Sequence, residues 1–225
     1  MKGRSMKRSV HIVAMLGLVA GANAGMAQAA DTGFYGYLSA GQSKSDRKAE
    51  SDQALAGAGA TAFTSSFDDT DTGYKLQAGY QINKNLAVEG GYADLGKFAY
   101  SSNITAPTAT SGVITLKVDG WNIGVVGRLP FSDTVTGFAK LGAFAYNADY
   151  ACTRTGTACV TPTRTASGTS TNYGVGVDFN FASNWFARAE YEVYTRVGDP
   201  MNANGSTGTS RADVNMASVG IGYKF

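Results

Sequence analysis

Residues 173–193 read Tyr-Gly-Val-Gly-Val-Asp-Phe-Asn-Phe-Ala-Ser-Asn-Trp-Phe-Ala-Arg-Ala-Glu-Tyr-Glu-Val. Tyr173, Val175, Val177, Phe179 and Phe181 alternate with Gly174, Gly176, Asp178 and Asn180, the period of a β-strand with one apolar and one polar face. After a break at 182–184 the alternation resumes, with Trp185, Ala187, Ala189, Tyr191 and Val193 set against Phe186, Arg188, Glu190 and Glu192. This is the pattern of two antiparallel strands joined by a tight turn. The polar face carries charges of both signs.

The same texture recurs along the chain and predicts eight strands, near 33–43, 73–81, 86–96, 116–129, 135–147, 171–181, 185–195 and 214–225. Tyr74, Leu76, Ala78 and Tyr80 oppose Lys75, Gln77, Gly79 and Gln81 in the second. Leu86, Val88 and Tyr92 oppose Ala87, Glu89 and Ala93 in the third, and Trp121, Ile123, Val125 and Leu129 oppose Asn122, Val126 and Arg128 in the fourth. In the last, Val219, Ile221, Tyr223 and Phe225 oppose Ser218, Gly220, Gly222 and Lys224. The first and fifth are less regular. Phe34 and Leu38 oppose two further aromatics, Tyr35 and Tyr37, while Lys140 shares its face with Phe138 and Phe144.

Periodicity does not say which face points inward, and a soluble, lipocalin-like barrel would hide the apolar one. Three observations favour the inverse. The polar faces mix opposite charges with Gly and small polar residues, as a narrow packed lumen requires. Tyr80, Trp185, Tyr223 and Phe225 stand near strand ends, where outer-membrane barrels carry an aromatic girdle. Three linkers (near 82–85, 130–134 and 182–184) are short, and the other four are long and rich in Ser, Thr, Gly and Asp. The expected fold is therefore all-β: an eight-stranded antiparallel up-and-down transmembrane β-barrel. Short periplasmic turns and long outer loops complete it.

The first 29 residues differ in kind. Lys2, Arg4, Lys7 and Arg8 precede an apolar run from Ile12 to Ala20, and Ala27-Gln28-Ala29 supplies small residues for cleavage. This is the order of a secretory signal peptide, which leaves residues 30–225 as the barrel domain. Its removal takes the net charge from +2 to about −2 and removes His11, the only histidine. A basic footprint for nucleic acid is then absent. Cys152 and Cys159, close together in an exported chain, are expected to form a disulfide in the third outer loop.

Several segments resemble the transmembrane domain of OmpA-type outer-membrane proteins. They are Leu86-Ala-Val-Glu-Gly-Gly-Tyr-Ala-Asp-Leu-Gly96, Phe138-Ala-Lys-Leu-Gly142, Tyr173-Gly-Val-Gly-Val-Asp-Phe179, Arg188-Ala-Glu-Tyr191 and Ser218-Val-Gly-Ile-Gly-Tyr-Lys-Phe225. The resemblance implies a lumen packed with a network of acidic and basic side chains, onto which Glu89, Lys140, Asp178, Arg188 and Glu190 match. It departs at Val126, where a basic residue is expected; Arg128 lies one step along. Tyr223 and Phe225 look like the C-terminal signal read by the barrel-assembly machinery. The peptidoglycan-binding domain that often follows such barrels has no counterpart before Phe225, so cell-wall tethering is not expected of this chain.

The polar faces together hold five basic residues (Lys75, Arg128, Lys140, Arg188, Lys224) and four acidic ones (Glu89, Asp178, Glu190, Glu192). That near balance favours a salt-bridge network over a selectivity ring of one sign. Catalysis is not expected, because the mature chain lacks histidine and no Gly-x-Ser-x-Gly elbow is present. Neither a cofactor nor a resident metal is expected, although Asp68, Asp69 and Asp71 cluster in what reads as the first outer loop. Two functions stay open. One is a structural and surface-interaction barrel, in contact with outer-membrane lipid, lipopolysaccharide and ligands at its loops. The other is a narrow, porin-like channel for ions or small solutes.

Overall fold

A computed structural model describes residues 32–46, 48–57, 59–155, 163–199 and 210–225. In chain order these form β1 (Gly33–Ser45), α1 (Lys48–Gly57), β2 (Ala62–Asp68), β3 (Thr70–Asn83), β4 (Leu86–Ala106), β5 (Thr110–Pro130), β6 (Val135–Thr155), β7 (Thr163–Asn180), β8 (Trp185–Asp199) and β9 (Ser210–Lys224). The expected signal peptide, residues 1–29, lies outside the described residues, as does Cys159.

Every pairing is antiparallel. The sheet runs β4-β3-β1-β9-β8-β7-β6-β5, and β5 pairs back onto β4 to close it. β2 adds no ninth stave: Asp68 faces Ala99 and Tyr74 faces Asp94, so β2 and β3 lie end to end along β4. The barrel therefore has eight staves. Closure is what hydrocarbon demands, since a peptide N–H or C=O in lipid finds no partner outside its own ladder.

Within the membrane band the apolar face points out. Ile123, Val175 and Val219 are 63%, 59% and 69% exposed, whereas Lys75, Gln77, Asp178 and Arg188 on the alternate positions are buried. Phe34 and Leu38 point out and Tyr35 and Tyr37 in, which settles the ambiguous first strand. From Leu129 to Trp121 the outward residues of β5 span about 20 Å at ordinary rise and tilt, close to the usual apolar belt. Aromatic pairs mark both rims: Phe34–Tyr80 and Trp185–Tyr223 at the turn end, Tyr92–Trp121 at the other, with centroids 4.8, 5.0 and 5.5 Å apart.

Above that belt the polarity inverts. Outward positions become Asp119 and Lys117 on β5, Asn147 and Asp149 on β6, Thr171 and Thr169 on β7, and Asn215 and Asp213 on β9. The inward positions of the same strands turn apolar, with Val118, Leu116, Tyr146, Ala148, Val214 and Ala212 all buried. The barrel continues into water as a soluble one would, apolar inside and polar outside. This explains why Phe144 shares a face with Lys140: it starts the apolar outer layer.

One of the four expected long outer loops, that between the third and fourth expected strands, needs correction. Only residues 107–109 separate β4 from β5, and 97–106 and 110–115 are laddered strand. In water neither face needs an unbroken apolar set, so Ser, Thr, Val and Ile extend the ladder through their fit to a pleated surface. Asp68 and Asp71 likewise sit on β2 and β3 rather than at a loop tip. Asp71 accepts the backbone N–H groups of Thr72 and Lys97 at 2.8 and 2.6 Å, and Asp69 pairs with Lys44 at 3.4 Å.

The inversion gives unequal costs to one substitution on one face of one strand. Val175→Arg should destabilise the refolded protein by roughly 2–4 kcal/mol, as a cation in the belt does. Thr169→Arg, outward but beyond the belt, should stay within about 0.5 kcal/mol of the parent. Denaturant titration in lipid vesicles measures both, and equal costs would contradict the two-zone reading.

Candidate functional site

The lumen is built from alternate residues of neighbouring staves, so each strand contributes every second side chain to it. Those side chains form two ionic clusters. In the first, Arg188 on β8 donates through Nε and Nη2 to the two oxygens of Asp178 on β7, at 2.7 and 3.0 Å. Its Nη1 reaches Glu89 Oε1 at 2.7 Å, and Arg128 Nη2 donates to Asp178 Oδ2 at 2.9 Å. Tyr35 and Tyr37 hydroxyls donate to the two Glu89 oxygens at 2.6 and 3.1 Å. The Arg188 guanidinium lies 4.2 Å from the ring centroids of both Tyr37 and Phe138. A buried cation is thus satisfied in its plane by carboxylates and on its faces by π-systems. Gly79 and Gly176 leave room for this packing, because a Cβ at either would strike the ring of Tyr35 or Phe138.

The second cluster holds Lys75, Lys140, Glu190 and Glu192. Lys75 contacts both glutamates, and Lys140 Nζ lies 2.5 Å from an oxygen of each. Asn172 Nδ2 and the Tyr194 hydroxyl donate to Glu192 at 3.3 and 3.1 Å. Each cluster pairs two cations with two anions, so each is neutral by itself. Four carboxylates without compensation would be untenable in so narrow a space.

Of the nine lumen residues expected from sequence, eight enter these clusters. The expected centre is split, however: Glu89 and Arg188 belong to one group, Lys140 and Glu190 to the other. Lys224 is the correction. It is half-buried at the turn end, where it donates to Asn180 Oδ1 at 2.7 Å and lies 5.8 Å from the Phe186 ring. Asp178, the acid on that side, is already held by two arginines. Val126 is buried against Tyr35, Tyr37, Ala87, Phe138 and Phe186 in an apolar collar. Tyr35, Tyr37, Asn172 and Tyr194 were not anticipated as partners. Their signal was an inward parity shared with the charges.

At the outer end, α1 docks through Asp52, which accepts hydrogen bonds from Lys48 at 2.7 Å, Ser65 at 2.6 Å and Tyr100 at 2.6 Å. Partial burial pushes the Asp52 carboxyl up, but these three donors outweigh it and bring it down to about 2. Cys152 is half-buried on β6 opposite Ile114. Tyr223 near the end of β9 and Phe225 just past it meet edge to face, with ring centroids 5.2 Å apart.

The model of the OmpA-like transmembrane domain matches residues 18–225 of this chain. The chain belongs to that family. Outer membrane protein A of Serratia marcescens is 28% identical over 207 residues, covering 91% of this chain and 48% of the relative. That of Klebsiella pneumoniae is 29% identical over 210 residues, covering 92% and 50%. This OmpA-like chain thus spans about half the length of the curated relatives it matches. Among solved structures, outer membrane protein OprG of Pseudomonas aeruginosa shares 13% identity, with a TM-score of 0.48 and 87% and 97% of the two chains covered. Ail, the attachment invasion locus protein of Yersinia pestis, was solved with the heparin analogue sucrose octasulfate. It shares 18% identity at a TM-score of 0.44, covering 86% and 99%. The setting of this OmpA-like domain is the bacterial outer membrane.

Arg188→Ala removes the cation shared by Glu89 and Asp178 and leaves buried charge uncompensated. It should cost about 3–5 kcal/mol in a denaturant titration; a loss under about 1 kcal/mol would contradict the geometry. A lowered carboxyl stabilises docking above its unfolded value of 3.8 and loses that contribution as pH falls through the folded one. The Asp52 carboxyl resonance should therefore titrate near 2, with the docking of α1 weakening progressively as pH falls from 3.8 and lost at about 2. An ordinary midpoint would show that α1 is not docked through Asp52.

Proposed function

We propose that this OmpA-like domain is a closed, non-catalytic barrel with a structural and surface-interaction role. It supports the envelope and presents its outer staves and α1 to ligands outside the cell. The observation that carries this reading is the lumen: two neutral ionic clusters occupy its membrane half and a continuous apolar cluster its outer half, in an architecture just wide enough for its own side chains. Glu190 and Glu192, the carboxylate pair that might suggest acid–base chemistry, are both held by lysines and buried. Lipid and lipopolysaccharide surround the belt, and Tyr223 and Phe225 at the C-terminal end meet the assembly machinery.

A narrow channel is the second reading, favoured by the polar character of the lumen's middle. Conductance of the refolded protein in a planar bilayer separates the two. The closed barrel should give at most brief, small currents. A steady, large current would place the channel first.

Cys152 and Cys159 complete the outer surface as a disulfide. Closing that short loop restricts the unfolded chain by about 2–3 kcal/mol in the entropy model. Intact mass after alkylation without reduction should show no alkylated thiol; two alkylated cysteines would contradict it.

A further inference from the structure

The ionic layer is not the driest part of the lumen. Around Lys75, Lys140, Glu190 and Glu192, five side chains carry a buried polar atom with no hydrogen-bond partner among the described residues. These are Ser39 Oγ, Gln77 Oε1, Asn122 Nδ2, Asn172 Oδ1 and Ser218 Oγ; three more, Ser45 Oγ, Ser170 Oγ and Arg211 Nε, are scattered over the outer strands. All five residues are more than nine-tenths buried. Ser39 stands opposite Lys75 and Ser218 opposite Glu190, while Asn172 already donates to Glu192 through its other atom. Gln77 follows Lys75 on the same face of β3. Donors and acceptors both occur in the set. Buried polar groups that lack a protein partner are met by ordered water, which needs two to four such partners, and here they are clustered.

The layer above is its opposite. Phe98, Leu116, Val118, Phe144, Tyr146 and Met216 form one continuous buried cluster across the outer lumen. Tyr194 joins the two layers: its hydroxyl donates to Glu192 and its ring packs edge-on against Phe144, 4.8 Å between centroids. Met216 stands opposite Glu192 across β8 and β9, so the apolar layer begins directly on the ionic one. Tyr146 turns its own hydroxyl to the Gly198 carbonyl at 2.7 Å. An ion entering this layer would lose its hydration with only scattered hydroxyls, such as those of Ser45 and Ser170, to replace it, the principle by which apolar constrictions close pores.

We infer that the outer apolar layer is the permeability barrier of this barrel, and that the lysine–glutamate cluster beneath it is a hydrated chamber that sets shape without sealing. The inference rests on the closed-barrel reading and assigns the closure to different residues from the charges. Planar-bilayer conductance of the full chain tests it with two double variants, each checked for folding by far-UV circular dichroism. Phe144→Ser with Met216→Ser opens the apolar layer and should raise mean conductance at least about tenfold over the parent. Lys140→Met with Glu190→Gln removes one charge pair at similar bulk and should leave conductance within about twofold. The reverse pattern, current through both variants, or current through neither, would overturn the assignment. A parent that conducts steadily would instead defeat the closed-barrel reading. Should the serine variant fail to fold, water-to-side-chain magnetisation transfer in the parent decides. The amide groups of Asn122 and Asn172 should exchange with water and the methyls of Leu116 and Val118 should not; dry amides or wet methyls would overturn it.

Discussion

Hydrocarbon offers no partner to a peptide N–H or C=O, and that constraint organises everything else in this barrel. Eight staves must pair around a full circle, and β5 closing on β4 completes the last ladder. Closure at this strand number fixes the width of the interior, which leaves room for side chains and little more. The period of two then assigns alternate residues to lipid and lumen. The outward residues must be apolar for as long as lipid surrounds them, and they are released from that demand where it ends. The change from Trp121 to Asp119 on β5 and from Ala145 to Asn147 on β6 is that release in the sequence.

The lumen answers the same geometry from inside. Glycines at positions such as 79 and 176 allow rings to lie against the backbone, and the rings in turn frame Arg188. Placing charges in this space is tolerable only because they come in neutral groups. An apolar interior could have packed as tightly, and over the outer half it does. The ionic half therefore contributes specificity of packing: bidentate Arg188–Asp178 and the shared contacts of Glu190 and Glu192 fix which face of each strand turns inward. A register slip would carry every one of them into lipid.

Strand faces within the belt were legible because lipid enforces a clean alternation there, as in Tyr173 to Phe181. The first strand was harder, since Phe34 and Tyr35 are both aromatic and only burial separates them. The outer extensions were not legible as strand. Residues such as Thr163–Ser170 alternate small polar groups with Ala and Gly, and they read as loop until the ladder with β6 is seen. Phe144 shares the face of Lys140 because its parity belongs to the apolar zone above the belt. Charge and parity place nine ionisable residues on inward faces, yet sequence distance says nothing of reach. Lys224 falls short of the acids, and the tyrosine hydroxyls that complete Glu89 carry no charge to count.

One continuous sheet passes from lipid into water with its polarity reversed. Nitroxide labels placed singly along the outward face of β7, from position 165 to 179, test it most directly by relaxation with oxygen and with a water-soluble nickel complex. Relaxation should be oxygen-dominated at 173, 175 and 177 and nickel-dominated at 165, 167 and 169, with the crossover near 171. Uniform oxygen accessibility along the strand, or a crossover several residues away, would contradict it.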